Sequence, residues 1–261
     1  MKLTKLSFFI LTTFLLLAQG SVNAQGGYTL KQFFSEGGDL YSQPAKWNEA
    51  DWLKVGFVAA GSFALMNFDE DIKDWSQTEQ NYLGTFPIDY GRRWGEPSAT
   101  LLMSGLLFLH GVLADNQRNQ NTAFEILQST FYATSVTQIG KMLFGRARPY
   151  MNKGAWDFNP VYFAPDDFWS YPSGHTTSAF ALSTTLAQSV KADWLKVLCY
   201  LPAFTTAFAR IYENKHWASD VFAGAAIGYF VAKYLTELHK KNELMPHEEP
   251  PAPLINISFP L

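Results

Sequence analysis

Beyond its first two dozen residues the chain alternates between long apolar stretches and polar breaks marked by glycine, proline or clustered charge. Six stretches stand out: WLKVGFVAAGSFALMNF (52–68), ATLLMSGLLFLHGVLA (99–114), AFEILQSTFYATSVTQIGKMLF (123–144), TTSAFALSTTLAQSV (176–190), WLKVLCYLPAFTTAFARIY (194–212) and VFAGAAIGYFVAKYLTEL (221–238). Each exceeds the length of an ordinary strand, and strand signals are weak throughout. The pattern predicts six helices in an all-α bundle, with the chemistry gathered at one end. Two connections are long, Asp69 to Pro97 and Pro149 to Pro172; long ordered loops in a compact domain often carry function. Residues 25–50 read as a loose, Gly-rich lead-in, 51–240 as the helical domain and 241–261 as a Pro-rich tail.

The opening residues form a separate element. Lys2 and Lys5 precede the apolar run LSFFILTTFLLLA, and Val22 and Ala24 supply the small residues of a cleavage site. Residues 1–24 are therefore expected to be a secretory signal peptide. Charged residues make up 16% of the 261-residue chain and hydrophobic ones 48%, well off the usual quarter charged, which leans toward a membrane or a very large core. Without Lys2 and Lys5 the chain holds 18 basic against 23 acidic residues, which excludes a basic nucleic-acid surface. Cys199 has no possible intrachain disulfide partner. The histidines at 110, 175, 216, 239 and 247 lack the paired spacing of a zinc site, so neither a metal nor another cofactor is expected.

Chemistry concentrates in three short stretches. In SYPSGHTTSAF (170–180), Pro172, Ser173 and Gly174 read as a turn followed by a helix start, whose free N–H groups suit an anion. His175 would stand beside that anion, able to give or take a proton near neutral pH. In KMLFGRARP, Lys141 and Arg148 are seven residues apart; two helical turns place them on nearly one face, and Pro149 then ends the helix. ARIYENKHWASD supplies Arg210, His216 and Asp220. If HWASD opens the last helix, His216 and Asp220 meet at i and i+4, and the carboxylate fixes the tautomer while freeing the other ring nitrogen to attack. Three cations, a helix N-terminus, an acid and an oriented nucleophile complete an inventory for cleaving a phosphate ester.

The ordered set Lys-x6-Arg-Pro, Pro-Ser-Gly-His and Arg-x5-His-x3-Asp resembles the type 2 phosphatidic acid phosphatase family, which also includes bacterial class A acid phosphatases and vanadium haloperoxidases. The resemblance runs over roughly residues 97–238. It implies that Lys141, Arg148 and Arg210, with the N–H groups around Ser173 and Gly174, bind the phosphoryl oxygens. It further implies that His216 attacks phosphorus, Asp220 orients it and His175 protonates the leaving group. The expected activity is metal-independent hydrolysis of phosphate monoesters or diphosphates, with envelope lipids as substrates. Alternatives are a soluble exported acid phosphatase of broad specificity, a vanadate-dependent haloperoxidase and a non-catalytic phosphate-binding protein. One departure is Ala209, where the family usually has serine before the arginine; losing a neutral hydrogen bond of about 0.5–1.5 kcal/mol predicts an altered phosphate cradle, not a dead enzyme.

A membrane span needs ~20 mostly apolar residues, and only Pro97 to Ala114 approaches that. The mean hydropathy of −0.07 is near neutral. Membrane association is nevertheless favoured over a soluble exported form, with the site facing the periplasm, because that arrangement leaves Lys191, Lys196, Lys240 and Lys241 inside. The sequence is silent on oligomeric state.

Overall fold

All six predicted stretches are helical. The computed structural model describes residues 28–78, 80–161 and 166–244, so the expected signal peptide and nearly all of the C-terminal tail lie outside the described residues. Nine α-helices are present among them: α1 (Leu30–Ser42), α2 (Glu49–Met66), α3 (Asp69–Thr78), α4 (Phe86–Trp94), α5 (Pro97–Leu113), α6 (Gln117–Phe144), α7 (Gly174–Ser189), α8 (Asp193–Tyr212) and α9 (Ala218–Leu244). Single-turn 3-10 helices at Gln43–Lys46, Pro149–Met151 and Asp166–Phe168 fill the connections. No strand occurs among the described residues; Arg146 and Phe158 form one isolated antiparallel bridge.

Of the three helices beyond the predicted six, α3 and α4 are short, and α1 carries two glycines, Gly37 and Gly38, inside its apolar pattern. The segment read as a loose lead-in holds α1, whose N-cap Thr29 accepts from the Gln32 N–H. The long connection from Asp69 to Pro97 holds α3 and α4. Charged residues dominate α3, which opens on Asp69, Glu70 and Asp71 where the helix dipole favours acids.

α7 lies at the centre, packed against α6, α8 and α9. Eleven of its sixteen residues are buried, six of them Thr or Ser. Its hydroxyls are satisfied locally or across helices: Thr177 bonds Ser173 O and Thr137, Thr185 bonds Ala181 O and Ser129, and Ser183 accepts from the Trp94 indole. A polar sequence can thus build a buried helix. α9 approaches it very closely, because a Cβ on Gly224 would fall 2.5 Å from Ser173 O and one on Gly228 would fall 2.4 Å from Thr177 O. Glycine is required at both contacts.

The loop from 145 to 173 is stitched to this scaffold. Of its aromatics, Phe158 lies over the Arg146 guanidinium, Tyr171 packs against Phe144 and bonds Ser62, Phe168 sits under Lys153, and Trp156 meets Phe63. Tyr162 and Phe163 lie outside the described residues. Cys199 is a free, half-buried thiol on α8.

Candidate active site

Four helix ends converge on one spot: the C-terminal ends of α6 and α8 and the N-terminal ends of α7 and α9. α6 contributes Lys141 from its last turn and stops at Gly145, whose left-handed φ of 55° reverses the chain. The helix therefore ends before Arg148, and Pro149 only opens a later 3-10 turn. This corrects the expectation that Lys141 and Arg148 share one helical face. They come together because the Arg146–Ala147–Arg148 segment is clamped as an extended strip: the Arg146–Phe158 bridge, Ala147 N–H to Asp157 O at 2.9 Å and Arg148 N–H to Asp167 O at 2.9 Å.

α9 is likewise entered differently than its sequence suggested. It starts at Ala218, so His216 precedes the helix. Asp220 in the first turn turns back to accept the Trp217 N–H at 2.9 Å, the backward half of a capping box. His216 nevertheless meets Asp220, with Nδ1 3.5 Å from Oδ2. Its Nε2 faces Arg148 NH1 at 3.4 Å. A guanidinium only donates, so Nε2 is the accepting nitrogen and the proton is assigned to Nδ1.

The cations surround the two histidines. Arg148 is 7% exposed; its fork donates to Asp166 O and Oδ1 at 2.8 Å each and to Lys215 O at 3.2 Å. Arg210 is equally buried and donates from NH1 to Glu213 Oε2 at 2.6 Å, while its Nε has no partner. Lys141 donates to Trp169 O. Burial, with Arg148 beside it, lowers the Lys141 ammonium to about 7. His175, half-buried on the first turn of α7, is pulled down to about 3 by burial and by Arg210, Arg148, Lys141 and Arg92. His216 is held well below its ordinary value by burial first and then by Arg148, Lys141 and Arg210. Both rings are thus neutral at pH 7, inside a ring of positive charge that an anion would relieve.

Ser173 is the N-cap of α7, and its N–H is taken by Asp220 O at 3.0 Å. Its hydroxyl accepts from Thr176, and Gly174 opens the helix beside the Lys141 side chain. Every residue expected at the site, Lys141, Arg148, Ser173, Gly174, His175, Arg210, His216 and Asp220, is therefore brought to this end of the bundle. Ala209 is fully buried in an apolar cluster with Ile88 and Tyr212. Among the described residues no group of three or more His, Cys, Asp or Glu side chains is arranged to hold a metal ion.

Sequence reasoning missed several residues that touch this core. Arg92 on α4 reaches the site and pairs with Asp89, Glu96 and Glu213. Asp166 and Glu213 occupy the arginine forks. Arg146, Asp69 and Ser170 surround Asp220 and its neighbours. Arg146 left a signal as the first arginine of GRARP, and Ser170 and Glu213 stood inside SYPSGHTTSAF and ARIYENKHWASD without one; Arg92 and Asp69 come from distant segments.

Part of the chain is similar to known proteins. Residues 122–244, just under half of the chain, match the PAP2 superfamily. The match begins on α6 and so includes every site residue named above except Arg92 and Asp69. A lipid A 1-phosphatase of Porphyromonas gingivalis is 40% identical over 96 residues, covering 36% of this chain and 18% of that protein. An undecaprenyl-diphosphatase of Sulfolobus acidocaldarius is 27% identical over 156 residues, covering 58% of this chain and 67% of that protein. The crystal structure of Aquifex aeolicus LpxE shares the fold, with a TM-score of 0.50 and 23% identity over 64% of this chain and 93% of that one. The chain thus spans less than a fifth of the length of the first of these relatives.

Proposed function

We propose that the protein is a phosphoric ester hydrolase that removes phosphate from envelope lipids, as monoesters or diphosphates, through a phosphohistidine on His216. The observation that carries this reading is the convergence of Lys141, Arg148 and Arg210 on two neutral histidines, one of them backed by Asp220. The phosphatase names of the relatives at 40% and 27% identity support it.

In this scheme the phosphoryl oxygens displace Asp166 and Glu213 from the arginine forks and take up the start of α7 around Ser173 and Gly174. His216 Nε2 attacks phosphorus, and the bond to the leaving oxygen breaks. Asp220, 3.5 Å from the protonated Nδ1, balances the positive charge that forms on the ring. Burial and the surrounding cations keep His175 neutral; the bound phosphate cancels the cations and its negative charge favours the protonated ring, so His175 becomes able to hold a proton and deliver it to the leaving oxygen. Water then attacks phosphorus, His175 takes its proton, the P–N bond breaks and inorganic phosphate departs. General acid catalysis supplies only ~10²–10⁴ of the acceleration; the cationic cradle and the covalent route carry the remainder.

Membrane association is supported by the outer surface. On α5, Leu102, Leu106, Leu109 and Leu113 form an exposed stripe, and on α8 Trp194, Val197, Leu201, Phe204 and Phe208 form another. Apolar faces of that extent are not solvent surfaces. Ala218–Asn242 is long and apolar enough to cross a membrane, as is the bent pair Phe86–Trp94 and Pro97–Leu113 taken together. The end opposite the site gathers Arg118, which bonds Ser189 O, and Lys240, which bonds Gln188, near Lys191 and Lys196. Positive residues favour the inner face, which turns the site outward to the periplasm.

The test is phosphate release by purified protein from a detergent-dispersed lipid phosphate and from a small aryl phosphate, alongside His216→Ala. Lipid turnover lost in the variant supports the proposal. Equal turnover of both substrates would replace the lipid specificity with a broad acid phosphatase, and no release from either would overturn it.

A further inference from the structure

Behind Asp220 lies a second charged layer that the reaction scheme does not use. Arg146 is 0% exposed, sandwiched between the rings of Phe158 and Trp217. NH1 donates to Asp220 Oδ1 at 2.6 Å and to Ser219 Oγ at 2.7 Å, and NH2 donates to Asp69 Oδ2 at 2.8 Å. Nε and NH2 share Ala155 O, and the Ala155 N–H donates to Glu70 Oε1 at 2.7 Å. Asp69, also fully buried, accepts from the Ser219 N–H at 3.0 Å and the Ser219 hydroxyl at 2.5 Å. Asp220 Oδ2 accepts from Ser170 at 2.5 Å and from the Trp217 N–H.

Each carboxylate faces obligate donors, Arg146 on both and the N–H groups of Ser219 on Asp69 and Trp217 on Asp220, and the Ser170 and Ser219 hydroxyls are free to donate as well. Burial raises the Asp69 carboxyl, and Ser219 and Arg146 oppose that rise; with the guanidinium between them, the row is read as two carboxylates and one cation, net charge −1. Arg146 alone would neutralise Asp220, the carboxylate that faces His216. Asp69 cancels Arg146 and leaves one negative charge over for the ring.

We infer that Asp69 and Arg146 are positioning residues that act through Asp220: Arg146 fixes the carboxylate in place, and Asp69 restores the charge that Arg146 would otherwise take from it. The charge matters when His216 becomes cationic on bonding to phosphorus, not when substrate binds. Asp69 stands at the start of α3, outside residues 122–244, so the N-terminal helices supply part of the site. This inference rests on His216 being the nucleophile.

The experiment compares wild type, Asp69→Asn and the double variant Asp69→Asn/Arg146→Gln on the lipid and aryl phosphates, with helicity checked by circular dichroism. Asp69→Asn is expected to lower kcat roughly thirtyfold, the effect of one unit charge about 8 Å away at an effective dielectric of about 20, with KM within about threefold. The double variant removes one charge of each sign and is expected to regain at least about tenfold over the single one. A purely structural role predicts the reverse, a double variant no better than the single. That result, or a folded Asp69→Asn with kcat within threefold of wild type, would overturn the inference. Where Asp69→Asn alone does not fold, the double variant decides: kcat within about thirtyfold of wild type supports the charge account, and a greater loss overturns it. Wild type silent on both substrates would instead sink the reading of His216.

Discussion

Two buried histidines mark the two ends of α9, and they are used in opposite ways. Toward the C-terminal end His239 is fully buried with both ring nitrogens engaged, Nε2 to Glu36 at 2.6 Å and Nδ1 to Glu125 at 3.1 Å. Gln128 and Gln32 complete the satisfaction of Glu36, and the Tyr28 ring lies 4.2 Å from the imidazole. Acceptors on both sides suit a ring that donates from both nitrogens. His216, about 30 Å away by helix rise, also has a carboxylate beside it, but that carboxylate is already occupied by Arg146, Ser170 and the Trp217 N–H. Its Nδ1 makes no hydrogen bond and its other neighbours are cations. One histidine closes a network that ties α1 to α6 and α9. The other is left incomplete, with a nitrogen lone pair turned toward positive charge. A buried His–carboxylate contact is thus not in itself a sign of catalysis; the charge on the remaining neighbours decides.

The contrast can be broken from either end. The largest effect is expected for His216→Ala, which removes the proposed nucleophile and should cut kcat by about 10⁴-fold or more in protein that unfolds no earlier than wild type. His239→Ala should do the converse. It strands Glu36 and Glu125 without their shared partner, so urea denaturation should show a loss of about 3–5 kcal/mol, while kcat of the folded fraction stays within about twofold. A large drop in kcat with unchanged stability would show that the far end is not merely structural.

Smaller changes sharpen the comparison at the site itself. His175→Asn should cost about 10²–10⁴ in kcat on a lipid phosphate; on an aryl phosphate, whose leaving group needs no proton, the first step should survive and a burst of phenol should precede slow dephosphorylation, because His175 also takes the proton of the attacking water. The pH dependence of KM tests Lys141. An ammonium lowered to about 7 is charged below that pH and loses its proton as pH rises through it. KM should therefore increase above pH ~7 and flatten in Lys141→Met, as read from initial rates between pH 5 and 9. The same sign rules govern stability. His175, at about 3 when folded, takes up protons more readily in the unfolded chain, so the folded state loses stability as pH falls below about 6.5. Vanadate or phosphate in the site should reduce that loss, a shift measurable as Tm against pH.

The six long helices were legible because their apolar stretches are too long for strands, and α7 was found despite its hydroxyls because small residues flank the Pro-Ser-Gly-His turn. α3 and α4 were not, since each is only nine or ten residues long and the apolar face of DEDIKDWSQT is as narrow as Ile72 and Trp75. Their partners lie far along the chain: Gly91 and Gly95 on α4 pack directly on Thr205 of α8 and His175 of α7. Likewise the meeting of Lys141 with Arg148 was anticipated for the wrong reason, since a glycine in the left-handed region, not helical phase, turns the second cation back.

What the sequence by itself determined is the chemical inventory: cations, histidines and a carboxylate, each next to a turn or a helix end, because short-range spacing and capping rules act within a few residues. Which histidine is poised and which is satisfied was decided only by the tertiary structure. Asp69, Arg146, Glu36 and Glu125 reach their targets across 74 or more residues of chain. The field inside a buried site is set by whichever charges the fold brings near, and no local pattern records them.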